Sequence, residues 1–192
     1  MTEHVKKAIN KMSGLVLEMA NLIYEGFMKN DAHYLNSALN KERIIDDLEK
    51  EIICSAMHDK EFIITGQVAQ NLERMGDEMR YLIERIEIKI VEKLLFSDLG
   101  VEQYKEVFNA MLESVNMTNK FLAENDTRLL DQILENGKRI KKLIEEYRVQ
   151  HLQRLAKGIC EPRAANMYFD MLDFTGNIAR HCTNIARACK EK

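Results

Sequence analysis

The chain has one proline, no tryptophan and only eight glycines in 192 residues. So few breakers leave long stretches in which a helix meets no forced interruption. No run of about 18 apolar residues occurs, which excludes an ordinary membrane-spanning helix, and the N-terminus carries no signal-peptide pattern. Lysine plus arginine (28) nearly balances aspartate plus glutamate (31), the signs are interleaved, and the net charge of −3 offers no nucleic-acid surface. The four cysteines, Cys54, Cys160, Cys182 and Cys189, show no CxxC spacing, as expected of reduced thiols in a cytosolic fold. Cys182 and Cys189, seven apart with His181 beside them, read as structural thiols rather than a soft-metal site. No Glu-x-x-His pair, nucleophile motif or glycine-rich phosphate loop occurs. Together these absences predict a soluble, cytoplasmic, non-enzymatic protein.

What is present is helical periodicity. In 3–29, Val5, Ile9, Met12, Val16, Met19, Leu22, Ile23 and Phe27 recur at helical spacing, with Asn30-Asp31 as a stop and cap. Further helices are expected over 31–57, 61–95, 101–124, 126–157 and 162–190, with Ser97-Asp98-Leu99-Gly100 as the main break. Gly158 suits a helix stop and Pro162 the first turn of the next helix. VLEMANLIYEGFMKND (16–31) is similar to MLESVNMTNKFLAEND (111–126) at an offset of 95, which marks a duplication. Long helices joined by short turns pack antiparallel. The fold expected is all-α, two tandem antiparallel three-helix bundles over 1–96 and 101–192.

The chemistry concentrates in carboxylates. Glu73 and Asp77 lie one helical turn apart beside the apolar stripe Val68, Leu72, Met75, Met79, Leu82 and Ile86. Gly76 falls between them and is expected to admit a backbone or a ligand, since a mid-helix glycine costs about 1 kcal/mol relative to alanine. On the preceding helix, Leu35, Leu39, Glu42, Asp46, Glu49 and Ile53 form a stripe that turns acidic in its middle. Antiparallel packing brings Glu42, Asp46, Glu73 and Asp77 level across one groove, where like charges raise one another's pKa unless a cation sits between them. Oxygen-only ligands select a cation such as Mg²⁺, Mn²⁺, Ca²⁺ or iron. The competing reading is a solvated acidic flank, of the kind Asp47 and Glu51 present.

NLERMGDEM (71–79) resembles the signature of PhoU-type proteins, typically LERIGDH, and ERIIDDLEKEI (42–52) resembles the matching motif of the helix before it. EEYRVQHLQRLAKGICEP (145–162) and FDMLDFTGNIARHCTNIA (169–186) are similar to the PhoU-like tail of sodium/phosphate cotransporters. The resemblance spans nearly the whole chain. It implies two three-helix repeats and a non-enzymatic regulator or adaptor of phosphate transport that works through a phosphate transporter or its sensor complex. It also implies a homodimer, peripheral to the inner membrane at most, and a divalent or trivalent cation (iron, manganese, magnesium or zinc) on Glu42, Asp46, Glu73 and Asp77. Glu78 stands where the signature commonly has histidine. In the second repeat the acidic positions fall on Gly137, Lys141, Gly176 and Arg180, which excludes a cation there and makes Lys141 and Arg180 candidates for an anion. The alternatives for that pair are solvent or acidic partners across the bundle. For the whole chain the alternatives are a metal-free helical interaction domain and a metal-dependent helical-bundle enzyme.

Overall fold

A computed structural model describes residues 2–191. Within them the chain forms six helices: α1 (Glu3–Lys29), α2 (Ala32–Ala56), α3 (Phe62–Val91), α4 (Asp98–Glu124), α5 (Arg128–Ala156) and α6 (Pro162–Lys190). The stops follow the chemistry of the turns. Asn30 and its equivalent 95 residues on, Asn125, both take left-handed conformations and close their helices with backbone bonds to Gly26 and Phe121. Asp31 and Asp126 then accept the backbone N–H groups of His33 and Arg128. Gly158, at φ 69°, ends α5 as expected, and Pro162 opens α6.

The main break lies earlier than its composition suggests. α3 stops at Val91 because Lys93 adopts φ 53°, with Leu94 N–H donating to Lys89 O in a six-residue closure usually made by glycine. Ser97 caps α4 by accepting the Gly100 N–H at 3.2 Å, so Asp98, Leu99 and Gly100 belong to its first turn. An acidic Asp98 there also suits the positive end of the helix.

α1 packs against α2, α3 and α4, and α4 against α5 and α6; α3 also meets α6. The order α2–α3–α6–α5 therefore forms one four-helix layer with α1 and α4 behind it. The seam between the repeats is antiparallel on both sides. Asn177 donates to Glu78 (3.2 Å), Tyr81 stacks on Phe174 and Arg85 pairs with Asp170 (2.8 Å) along α3–α6. Phe27 meets Tyr104, Tyr24 meets Phe108, and Ser13 donates to Asn119 (2.8 Å) along α1–α4. All six apolar residues of the α3 stripe are buried. On α2 the core face is Leu35, Ala38, Ile45, Leu48, Ile52 and Ala56, one step round from the expected stripe. Its acids therefore flank the core and face α3. Cys182 is fully buried as expected, whereas Cys54 is exposed.

The glycines sort by close approach. A Cβ on Gly76 would meet only Ile45 at 3.6 Å and Glu42 at 3.9 Å, ordinary contacts, so no backbone of a neighbouring helix requires that glycine. A Cβ on Gly137 would lie 2.3 Å from Thr183 Cγ2, and one on Gly176 would lie 2.8 Å from Ile144 Cδ1. Thr183 cannot easily turn away, because it is β-branched and its hydroxyl is held by Arg180 O at 2.7 Å. Gly76→Ala is expected to stabilise the protein by about 0.5–1 kcal/mol. Gly137→Ala is expected to cost about 1–2 kcal/mol. Urea unfolding measures both.

Candidate functional site

The acidic groove runs between α2 and α3. Glu42, Asp46, Glu73 and Asp77 are all half-buried along it, whereas Asp47 and Glu51 are exposed. The charges meet across the groove: Asp77 raises the pKa of Glu42, Asp46 and Glu73, and Asp46 also acts on Glu73. Burial is the leading cause of the upward shift at each of those three groups. It is largest at Glu73, pushed up to about 7 by burial first, then by Asp77, Glu49 and Asp46. Glu49 thus belongs to the cluster. Its spacing of seven from Glu42 on the same helix carried that signal.

Arg80 is the residue the sequence reading missed. Its Nε lies 3.3 Å from Glu42 Oε1, its Nη2 3.4 Å from Asp77 Oδ1 and its Nη1 3.2 Å from Glu84 Oε1. The guanidinium also lies over the Tyr81 ring, 4.4 Å from its centre. It stands three residues after Asp77 and four before Glu84, spacings that place all three on one face. Arg80 pairs with Glu42 and Asp77 but not with Glu73, which keeps Asp77, Glu49 and Asp46 as acidic neighbours. As placed, no group of three or more His, Cys, Asp or Glu side chains among the described residues is set to hold a metal ion. The donor set suits a hard cation in kind, being all oxygen and half-buried. The ion would have to displace Arg80 to reach all four carboxylates.

Glu78 turns away from this groove. It accepts from Asn177 on α6, and burial raises its pKa. The histidines also stand apart: His181 Nδ1 lies 3.0 Å from Asn71 Oδ1, and His151 is stacked on Tyr168, 4.3 Å between ring centres. Burial first, then neighbouring arginines, lowers both to about 4, which keeps them neutral. The 145–162 motif is thereby packing: His151 and Arg154, 3.0 Å apart, fix the end of α5 beneath α6.

The equivalent groove between α5 and α6 is wide, about 960 Å³, and both Lys141 and Arg180 line it. Lys141 lies 3.9 Å from Glu145 one turn on, and Arg180 donates to Asn177 Oδ1 at 3.3 Å. The two grooves therefore carry opposite charge on the same four-helix layer, on either side of the α3–α6 seam.

Because the fold raises Glu73 from 4.5 to about 7, the folded protein binds more protons than the unfolded chain between those values. That stability is fully present below pH 4.5 and is lost as the pH rises to about 7. In cation-free buffer, Glu73→Gln is expected to match the parent near pH 4 and to exceed it at pH 8. Discounted for partial exposure, the gain is about 1 kcal/mol, or roughly 2–4 °C in Tm. Thermal melts across this range measure it.

The PhoU domain family model matches residues 9–86 and 104–189. No curated protein sequence matches the chain. Among solved structures, PhoU from Pseudomonas aeruginosa superposes with a TM-score of 0.87 at 18% identity, over 97% of this chain and 93% of that one. The phosphate transport system regulatory protein PhoU from Streptococcus pneumoniae gives 0.84 at 16% identity, over 96% and 91%. A PhoU-like protein from Shewanella oneidensis MR-1 gives 0.80 at 11% identity, over 97% of both. These structures share the fold of two three-helix repeats, and with the family model matching in both repeats the chain belongs to the PhoU domain family.

Proposed function

We propose that the chain is a non-enzymatic regulator or adaptor of phosphate transport that acts by contact with a phosphate transporter or its sensor complex, in the cytoplasm and as a homodimer. The observation that carries this reading is the PhoU family match over both repeats. No helix among the described residues is long and apolar enough to cross a membrane; in this reading, membrane contact runs through the transporter.

Glu42, Asp46, Glu73 and Asp77 would hold a divalent or trivalent cation. Bound there, the cation supplies charge neutralisation and a tie between α2 and α3. The support is electrostatic: three of the four carboxylates are raised by burial and by one another, the state that a cation relieves. Arg80 favours a second reading, in which the groove is an ion-paired, metal-free interaction surface.

Metal analysis of protein purified without a polyhistidine tag is expected to show bound cation, lost on Glu73→Ala with Asp77→Ala. Metal-free protein whose Tm is unmoved by Mn²⁺ or Fe²⁺ assigns the second reading. Deletion of the chain from its cell is expected to change phosphate uptake. Unaltered uptake, with no transporter co-purifying, overturns the regulator reading.

A further inference from the structure

The α5–α6 groove has an order its charge count hides. Two inter-helix ion pairs, Arg148 with Asp173 and Lys190 with Asp131, stand at its two ends. Between them lie four cations: Lys138 and Lys141 on α5, Arg180 and Arg187 on α6. The helices run antiparallel, with Gly137 level with Thr183 and Ile144 level with Gly176. Lys141 therefore stands opposite Arg180, and Arg187 stands level with Ile133, more than one turn along the groove from Lys138. Among the described residues the two lysines have acidic partners only along their own helix, Glu135 at 3.1 Å and Glu145 at 3.9 Å. Such exposed pairs are weak and open readily to a better ligand.

The arginines are less satisfied. Neither Arg180 nor Arg187 has a carboxylate within ion-pair distance among the described residues. Arg180 reaches Asn177 and feels the charge of Glu78 from α3. Arg180 and Arg187 are seven residues apart, two turns on one face, or about 10 Å along the helix. A single orthophosphate is too small to engage both forks. The floor between them is closed where Gly137 meets Thr183, and beyond Arg180 where Gly176 meets Ile144, so the ligand lies along the groove and not between the helices.

We infer that this groove is a binding site for an extended anion of linked phosphoryl groups, an oligophosphate or nucleoside polyphosphate, with Arg180 and Arg187 as its two fork donors and Lys138 and Lys141 as point charges. The site is separate from the acidic groove and needs neither the cation nor the transporter reading. It goes beyond them, because it gives the second repeat a ligand of its own.

Calorimetric titration of the full chain tests this, in EDTA-containing buffer so that no cation bridges phosphate to the acidic groove. Tripolyphosphate and ATP are titrated against orthophosphate and against an acidic helical peptide. Tripolyphosphate is expected to bind one-to-one and more tightly than orthophosphate. Arg180→Ala with Arg187→Ala, both exposed and with helicity checked by circular dichroism, is expected to weaken it at least tenfold. Arg43→Ala with Lys50→Ala, which removes equal charge from α2, is expected to leave it unchanged. ATP binding as tightly as tripolyphosphate identifies a nucleotide source, and weaker ATP binding identifies the free oligophosphate. Equal loss in both double variants, orthophosphate binding as tightly as tripolyphosphate, or binding of the peptide alone overturns the site.

Discussion

Repulsion among half-buried carboxylates on α2 and α3 is the constraint around which the first repeat is arranged. Glu42, Asp46, Glu49, Glu73 and Asp77 share a groove in which water screens them only in part. Something must offset that charge, and in this structure two devices do so. Arg80 bridges Glu42 and Asp77, and Glu73 takes a proton more readily than an ordinary carboxyl. A bound cation would replace both. Arg80 has somewhere to go when displaced, since Glu84 and the Tyr81 ring already hold part of it. Proton and arginine thus share one electrostatic vacancy, and the proposed cation would compete with both, which would link the groove to pH.

Duplication explains why a second groove exists, and divergence explains why it differs. The paired stops at Asn30 and Asn125, with the paired caps Asp31 and Asp126, show two copies of one plan. At the acidic positions the second copy has Gly137, Lys141, Gly176 and Arg180. The glycines let α5 and α6 close on Thr183 and Ile144, where the first repeat keeps carboxylates between its helices. One groove is lined by an excess of carboxylates and the other by an excess of basic side chains. The seam between them, from Asn71 against Asn184 to Glu92 against Arg163, holds the two at a fixed separation.

Most of the fold was legible because amphipathic helices with few breakers announce themselves by period, and because asparagine, glycine and proline mark their ends. The break before α4 was misplaced for a specific reason. Lys93 takes a left-handed conformation that its side chain does not advertise, while Ser97-Asp98-Leu99-Gly100 is loop-like in composition yet forms a capped first turn. The acid pairs were legible from spacing and from the interrupted stripe on α2. Arg80 belongs to no recognisable motif, and an arginine three residues from an acid on a helix face is common enough that its spacing alone does not mark it as the partner of Glu42 across the groove. Gly76 meets no neighbouring backbone; sequence cannot tell a glycine required by packing from one that packing merely tolerates.

Competition at Arg80 is the most direct place to probe this electrostatic picture. Mn²⁺ binding to the purified chain, followed by electron paramagnetic resonance, can be compared with that of Arg80→Gln. Tighter Mn²⁺ binding in the variant, abolished by adding Asp77→Ala, is the predicted result. Unchanged or weaker binding on loss of Arg80 would contradict the view that arginine and metal neutralise the same carboxylates.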